Sequence, residues 1–170
     1  VVERVFNALD TNITFTPRVT EGQEINGGTV IADIKGPAQS ILAGERVALN
    51  LLQRMSGIAT KTAAAVAAIA NTKTKITDTR KTTPLLRILE KYAVRCGGGQ
   101  NHRFGLFDGI LIKDNHIAAA GGIAPAVAAA RERIPHTLKI EVETTTPKEI
   151  DEAIQAAADI IMLDNMSIEE

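Results

Sequence analysis

In "LKIEVE", residues 138–143, three charged residues alternate with apolar ones. Alternation along a strand places Lys139, Glu141 and Glu143 on one face and Ile140 and Val142 on the other. In an open sheet covered by helices on both sides, the charged face would be buried against apolar side chains, which is costly without partners. A closed β/α barrel lets the same face converge on a polar mouth, so the alternation favours a barrel.

On both sides of this segment the chain repeats one rhythm: a short apolar strand, a polar residue at its end, then a helix. The strand segments are "KITDT" (75–79), "GILIK" (109–113), "LKIEVE" and "DIIMLDN" (159–165), with helical patterns expected over 85–94, 117–134 and 147–157. The last helix has a clear start, because Thr146 can cap it, Pro147 suits its first position and Glu149 lies three residues beyond the cap. Repeated units of this kind imply a parallel sheet covered by helices.

The beginning of the chain differs. Residues 1–35 read as strands and turns, with β-branched residues in rough alternation and turns at Gly22 and Gly27-Gly28. From Pro37 the period becomes helical through Ile41, Leu42, Val47, Leu49, Leu52 and Met55. Ser56-Gly57 is expected to interrupt that helix before a second, alanine-rich one over about 60–70. This gives a first domain over 1–57 and a second over 58–170.

Composition removes several classes of function. The chain has 170 residues, 45% of them apolar, enough for a core of domain size. Its longest uncharged runs are too short and too alanine-rich to span a bilayer, and no charged segment followed by an apolar one opens the chain, so neither membrane nor export is expected. Nineteen basic against twenty acidic residues leave a net charge of -1, which opposes the broad basic face of a nucleic-acid binder. A single cysteine, Cys96, excludes an internal disulfide and fits a cytoplasmic location. The sequons at Asn12 and Asn165 are read as chance.

In β/α barrels the working residues stand at the C-terminal ends of strands. Those positions hold Arg80 and Lys81, then Lys113 with Asp114, then Glu143, then Asp164 with Asn165. Threonines surround the first pair in "ITDTRKTTP" (76–84), Thr79 among them. "RCGGGQNHR" (95–103) adds a glycine run that delivers His102 and Arg103, and with those two it reads as an anion-binding loop. Four cations, Arg80, Lys81, Arg103 and Lys113, call for a multiply charged anion. Glu143 and Asp164 can meet sugar hydroxyls, hold Mg²⁺ directly or through water, or stabilise a developing positive charge. Of the remaining histidines, His116 is placed at a helix start and His136 in a surface turn.

"ERVALNLLQRMSGIAT" (45–60), "TDTRKTTPLLRILEKYAVRCGGGQNHRFGLFDGILIKDNHI" (77–117), "EVE" (141–143) and "MLDN" (162–165) resemble quinolinate phosphoribosyltransferase, the decarboxylating family of NAD biosynthesis. The resemblance implies an N-terminal α/β sandwich followed by an incomplete α/β barrel, a homodimer or an assembly of dimers, and quinolinate, phosphoribosyl pyrophosphate and Mg²⁺ as ligands. It implies that Arg80 binds a quinolinate carboxylate together with His102, Arg103 and Lys113, with Thr79 also among the substrate-binding positions. By the same resemblance Lys81 faces the phosphoribosyl donor, Glu143 and Asp164 lie by the ribose hydroxyls and the metal, and Arg46 reaches into the partner subunit's site. Lys81, Lys113, Glu143 and Asp164 are the expected catalytic set.

Against the family pattern the chain is expected to lack both ends, since family members continue through further strands and glycine-rich phosphate loops. Two competitors are kept: a paralogue acting on another substrate such as nicotinate, or related to molybdenum transport, and a noncatalytic fragment.

Overall fold

Val2, Val5, Phe6 and Leu9 recur at helical spacing, and the chain opens with a helix, α1 (Val2–Leu9). The expectation of strands and turns throughout residues 1–35 is therefore corrected: one turn-rich hairpin occupies only part of that stretch. Strands β1 (Thr14–Pro17) and β2 (Ala32–Lys35) pair antiparallel with Thr14 opposite Lys35, and Gly22 and Gly28 take positive φ in the connection between them. Phe6, Ile13 and Ala48 form a small buried core, closed by Val2, Val5 and Ile41.

The computed structural model describes residues 1–169, which divide into two units, Val1–His102 and the remainder from Arg103. The first unit is dominated by α2 (Ala38–Ala68), a single helix of 31 residues. Ser56-Gly57 does not interrupt it, contrary to expectation. An interior glycine costs only about 0.5–1 kcal/mol relative to alanine, and the good helix formers on both sides outweigh that. No helix among the described residues is long and apolar enough to cross a membrane.

"KITDT" is not a regular strand. It makes one parallel bridge, Thr77 to Gln100, with Gln100 N–H donating to the Ile76 carbonyl at 2.8 Å and Asp78 N–H to the Gln100 carbonyl at 3.1 Å. Beyond Asp78 the threonines compete for the backbone: the Thr79 hydroxyl accepts from the Lys81 N–H at 3.0 Å and turns the chain. Helix α3 (Arg87–Cys96) follows and packs on α2.

The glycine run closes α3 in a Schellman arrangement. Gly98 N–H donates to the Arg95 carbonyl at 2.9 Å and Gly99 N–H to the Val94 carbonyl at 3.0 Å, with Gly98 at φ +85°. A Cβ on Gly97 would lie 2.4 Å from the Ala59 carbonyl oxygen, so this backbone is pressed onto α2. The expected anion-binding loop is thus, at its glycines, a helix cap and a close packing contact.

The second unit carries the β/α rhythm. Strands β3 (Ile110–Ile112), β4 (Ile140–Thr144) and β5 (Ile160–Leu163) form a parallel sheet in that order. The expected helix over 117–134 is two helices, α4 (Asp114–Ala120) and α5 (Ile123–Arg133), because Gly121 and Gly122 take φ of 83° and 142°. Helix α6 (Pro147–Gln155) begins as read, with the Thr146 hydroxyl accepting from the Glu149 N–H at 3.3 Å. Ile112, Ile140 and Val142 pack with Ile123, Val127 and Ala153 in the main core. One sheet face is thereby buried under α5 and α6. The fold is mixed α/β.

Candidate active site

The sheet register explains the second unit's charges. Ile112 pairs with Val142, so Lys113, one residue past the end of β3, comes level with Glu143, which pairs with Met162. By alternation Lys113, Glu143, Met162 and Asp164 share the face turned away from the α5/α6 core. Lys113 Nζ lies 2.6 Å from Glu143 Oε2, and Glu143 is the less exposed partner, at 16% against 40%. Asp164 is exposed, and its backbone N–H donates to the Thr144 carbonyl at 2.8 Å, which ties the end of β5 to β4. Glu141, two residues before Glu143 on this face, is buried.

Lys113 is also the residue preceding α4. Its backbone N–H donates to His116 Nδ1 at 3.0 Å, so His116 does open the helix and fixes the turn that carries Lys113. Arg103 at the start of this unit donates from Nη1 to the Gly109 carbonyl at 3.1 Å. The intervening loop is closed by Asp108, whose carboxylate accepts from the Phe104 and Gly105 N–H groups at 2.6 and 2.8 Å. His136 is exposed in the turn where Leu138 N–H returns to the Pro135 carbonyl.

In the first unit, Arg80 is half-buried, and its Nε is a buried donor without a hydrogen-bond partner. Buried donors are almost always paired, so this one is available to an incoming acceptor. Lys81 and Thr79 are exposed beside it. Arg46 is exposed on α2 next to Val47, and no hydrogen bond or ion pair joins it to Arg80, Lys81 or Thr79. The structure therefore gathers Thr79, Arg80 and Lys81 on one loop and Lys113 with Glu143 on one sheet face, and Arg46 is on α2.

Sequence reading missed the groups that hold the 79–83 loop. From α2, Arg54 donates to Glu90 Oε1 from Nε at 2.8 Å and from Nη2 at 2.6 Å, and its Nη2 lies 2.5 Å from the Thr83 hydroxyl. Glu90 Oε2 accepts from the Thr83 N–H at 3.2 Å. Burial by itself would push the Glu90 carboxyl up, but the bonds from Thr83 and Arg54 win and hold it below its ordinary range. Arg87 donates from Nε to the Thr82 hydroxyl at 3.1 Å and from Nη2 to the Arg80 carbonyl at 3.4 Å.

A second missed group is Asp78 with Lys91, an ion pair whose side chains are only 8% and 4% exposed. Both Glu90 and Lys91 look like solvated helix charges in "RILEKYAV". The available signal was their spacing: Leu86 and Ala93 place Glu90 on the inner stripe of α3, and Val94 does the same for Lys91.

This is a mixed α/β protein whose parallel sheet carries Lys, Glu and Asp where successive strands end, the position at which α/β proteins generally hold their working residues. Residues 1–56 match the family model "Quinolinate phosphoribosyl transferase, N-terminal domain", and residues 58–170 match the corresponding C-terminal domain. The chain belongs to the quinolinate phosphoribosyltransferase family.

Among its relatives, the probable nicotinate-nucleotide pyrophosphorylase [carboxylating] of Bacillus subtilis is 54% identical over 97% of this chain and 57% of the relative. The human nicotinate-nucleotide pyrophosphorylase [carboxylating] is 43% identical over 99% of this chain and 57% of its own length. Among solved structures, NadC from Streptococcus pyogenes superposes with a TM-score of 0.92 at 49% identity, covering 99% of this chain and 60% of that one. The nicotinate-nucleotide pyrophosphorylase from Francisella tularensis gives 0.93, also at 49% identity, 99% and 60%. The chain thus spans less than two thirds of the length of these relatives.

Proposed function

We propose that the chain is part of a quinolinate phosphoribosyltransferase, which converts quinolinate and phosphoribosyl pyrophosphate to nicotinate mononucleotide, pyrophosphate and CO₂ in NAD biosynthesis. The reading rests on family membership together with one observation: a lysine paired with a glutamate at the ends of adjacent parallel strands, with Asp164 on the same face. We take 1–57 as part of an N-terminal α/β sandwich and 58–170 as part of an incomplete α/β barrel, the face bearing Glu141, Glu143 and Asp164 lining its interior. The protein is read as a cytoplasmic homodimer or assembly of dimers.

In this reading Arg80, His102, Arg103 and Lys113 bind the two quinolinate carboxylates, and the unpartnered Arg80 Nε supports that role. Lys81 faces the phosphoribosyl donor, where it neutralises departing pyrophosphate oxygens, and Thr79 is among the substrate-binding positions. As the C1–O bond breaks, pyrophosphate leaves with the electron pair and the ribose acquires oxocarbenium character, which Glu143 and Asp164 stabilise. The pyridine nitrogen donates its lone pair to C1. Its new positive charge then stabilises the electron pair left on C2 as the C2–carboxylate bond breaks and CO₂ departs, and that carbanion takes up a proton.

Glu143 and Asp164 are hard oxygen donors, and no group of three His, Cys, Asp or Glu gathers into a cage among the described residues. A carboxylate pair of this kind fits a hydrated Mg²⁺ completed by phosphate oxygens. Bound there, Mg²⁺ would offset the charge of the leaving pyrophosphate.

Calorimetric titration of the intact protein with quinolinate and with nicotinate tests the assignment. Quinolinate should bind the more tightly, since only a dicarboxylate engages all the cations. Equal affinity, or preference for nicotinate, would favour the paralogue, and binding of neither would favour a noncatalytic fragment.

A further inference from the structure

Asp78 and Lys91 grip the main chain of one residue, His102, from both sides. Asp78 Oδ1 accepts from the His102 N–H at 2.8 Å and also from Lys91 Nζ, while Lys91 Nζ donates to the His102 carbonyl at 3.0 Å. The other carboxylate oxygen, Oδ2, accepts from Asn101 Nδ2 at 2.6 Å, and that same amide donates to the Lys91 carbonyl at 2.8 Å. The backbone amide and carbonyl of a single residue are thus held by the two ends of one buried ion pair, and the side chain of the preceding residue is tied to the same carboxylate.

The energetics argue that geometry, more than stability, is the product of this arrangement. The Lys91 side chain is 4% exposed, and burying an ammonium and a carboxylate together commonly gains little net stability over well-packed apolar residues, because desolvation offsets the attraction. A buried pair does fix directions, since leaving any member unsatisfied is expensive. Here the fixed object is the main chain of His102, and φ and ψ at His102 set where its imidazole can point. The segment needs such a device. The cap and α2 hold it only as far as Gly97, Gly98 and Gly99, and beyond them its strand pairing with residues 76–78 is one bridge, Thr77 to Gln100.

We propose that Asp78 and Lys91 are positioning residues for His102: the ion pair clamps the His102 main chain, sets the imidazole against the quinolinate carboxylate and raises affinity for that ligand without touching it. The inference rests on the proposed role of His102 in binding quinolinate. It adds two charged residues that meet no ligand and act through one that does.

The test is a thermodynamic cycle on the intact protein, read by calorimetry with quinolinate. Asp78→Asn combined with Lys91→Met removes both charges together and leaves no orphaned ion. His102→Ala removes the imidazole, and the triple variant combines all three changes. We expect His102→Ala to weaken quinolinate binding about ten-fold, and the charge-pair variant to weaken it by a similar factor, within the range typical of residues sharing one hydrogen-bond network. The triple variant should bind no more weakly than His102→Ala alone, because the clamp acts only through that ring. Affinity for phosphoribosyl pyrophosphate should stay within about two-fold in the charge-pair variant, which a general loss of folding would not allow.

Losses that simply add in the triple variant would overturn the clamp and leave the pair a structural one, and so would native-like quinolinate binding by the charge-pair variant. If His102→Ala alone leaves quinolinate binding unchanged, the assignment of His102 itself fails and the clamp falls with it, an outcome distinct from the other two. Should the charge-pair variant not fold, Lys91→Arg keeps the positive charge while replacing a compact ammonium by a planar fork. It then goes through the same cycle: non-additivity with His102→Ala supports the clamp, and additivity or native-like binding overturns it.

Discussion

Arg54 on α2 and Glu90 on α3 form an ion pair, Nη2 to Oε1 at 2.6 Å, in which Glu90 is 10% exposed and Arg54 48%. Because Thr83 bonds to both partners, the pair braces the basic loop that follows Asp78 as well as the packing of the two helices.

Removing the arginine should therefore cost more than a surface ion pair would. Breaking a fully buried pair costs about 3–5 kcal/mol, and the exposure of Arg54 discounts this to about 1–2 kcal/mol for Arg54→Met. Urea denaturation of Arg54→Met, Glu90→Gln and the double variant should return a coupling energy above about 0.5 kcal/mol. A coupling near zero would mean that the two side chains meet without bracing anything.

Acid should remove the cap of α6. The Glu149 carboxyl is held below its ordinary value, first by the backbone N–H of Thr145, which it accepts at 2.7 Å, and with help from the Thr145 hydroxyl at 3.0 Å. A carboxyl depressed in the folded state contributes stability that is present above its unfolded pKa and lost as pH falls through the folded value. Glu149→Gln should thus be less stable than the native chain at pH 7, by about 0.5–1 kcal/mol. The two proteins should converge as the pH drops below the ordinary glutamate range. A difference in unfolding free energy that persists unchanged into strong acid would assign the cap's contribution to something other than its charge.

Arg103 is expected to read the second carboxylate of quinolinate. Arg103→Ala should weaken quinolinate binding by about 2–5 kcal/mol, the scale for removing one member of a desolvated charge pair, and nicotinate binding by less. Equal losses for the two ligands in parallel titrations would show that Arg103 does not distinguish them.

Arg46 is expected to serve the partner subunit's site. It is exposed on α2 beside exposed Leu42 and Val47, an apolar surround unusual for a solvated arginine. Arg46→Ala and Arg103→Ala should each be nearly inactive alone. After random subunit exchange, a trans-acting Arg46 puts both lesions in one site of each mixed dimer and leaves the other intact, so about a quarter of all sites recover. No recovery of turnover on mixing would place Arg46 in its own subunit's site.

Much of the second unit was legible from residues alone. Short apolar runs, alternating with charge in "LKIEVE", named all three strands of the parallel sheet, and the Thr146, Pro147, Glu149 start of α6 stands where local chemistry put it. Capping and strand alternation depend on neighbours a few residues away, so they survive in a linear reading. The strand-end residues Lys113, Glu143 and Asp164 were readable for the same reason.

What the tertiary structure decided are the cases where distant contacts outweighed local preference. The three glycines after Cys96 read as an anion cradle, but the nearness of Ala59 and Thr62 on α2 makes them a packing contact. Spacing puts Glu90 and Lys91 on the inner stripe of α3, but only the fold supplies Arg54, Thr83, Asp78 and His102 as their partners. Hydrophobic period and capping are written in neighbouring residues, whereas the partner of a buried charge lies anywhere along the chain and is chosen by packing.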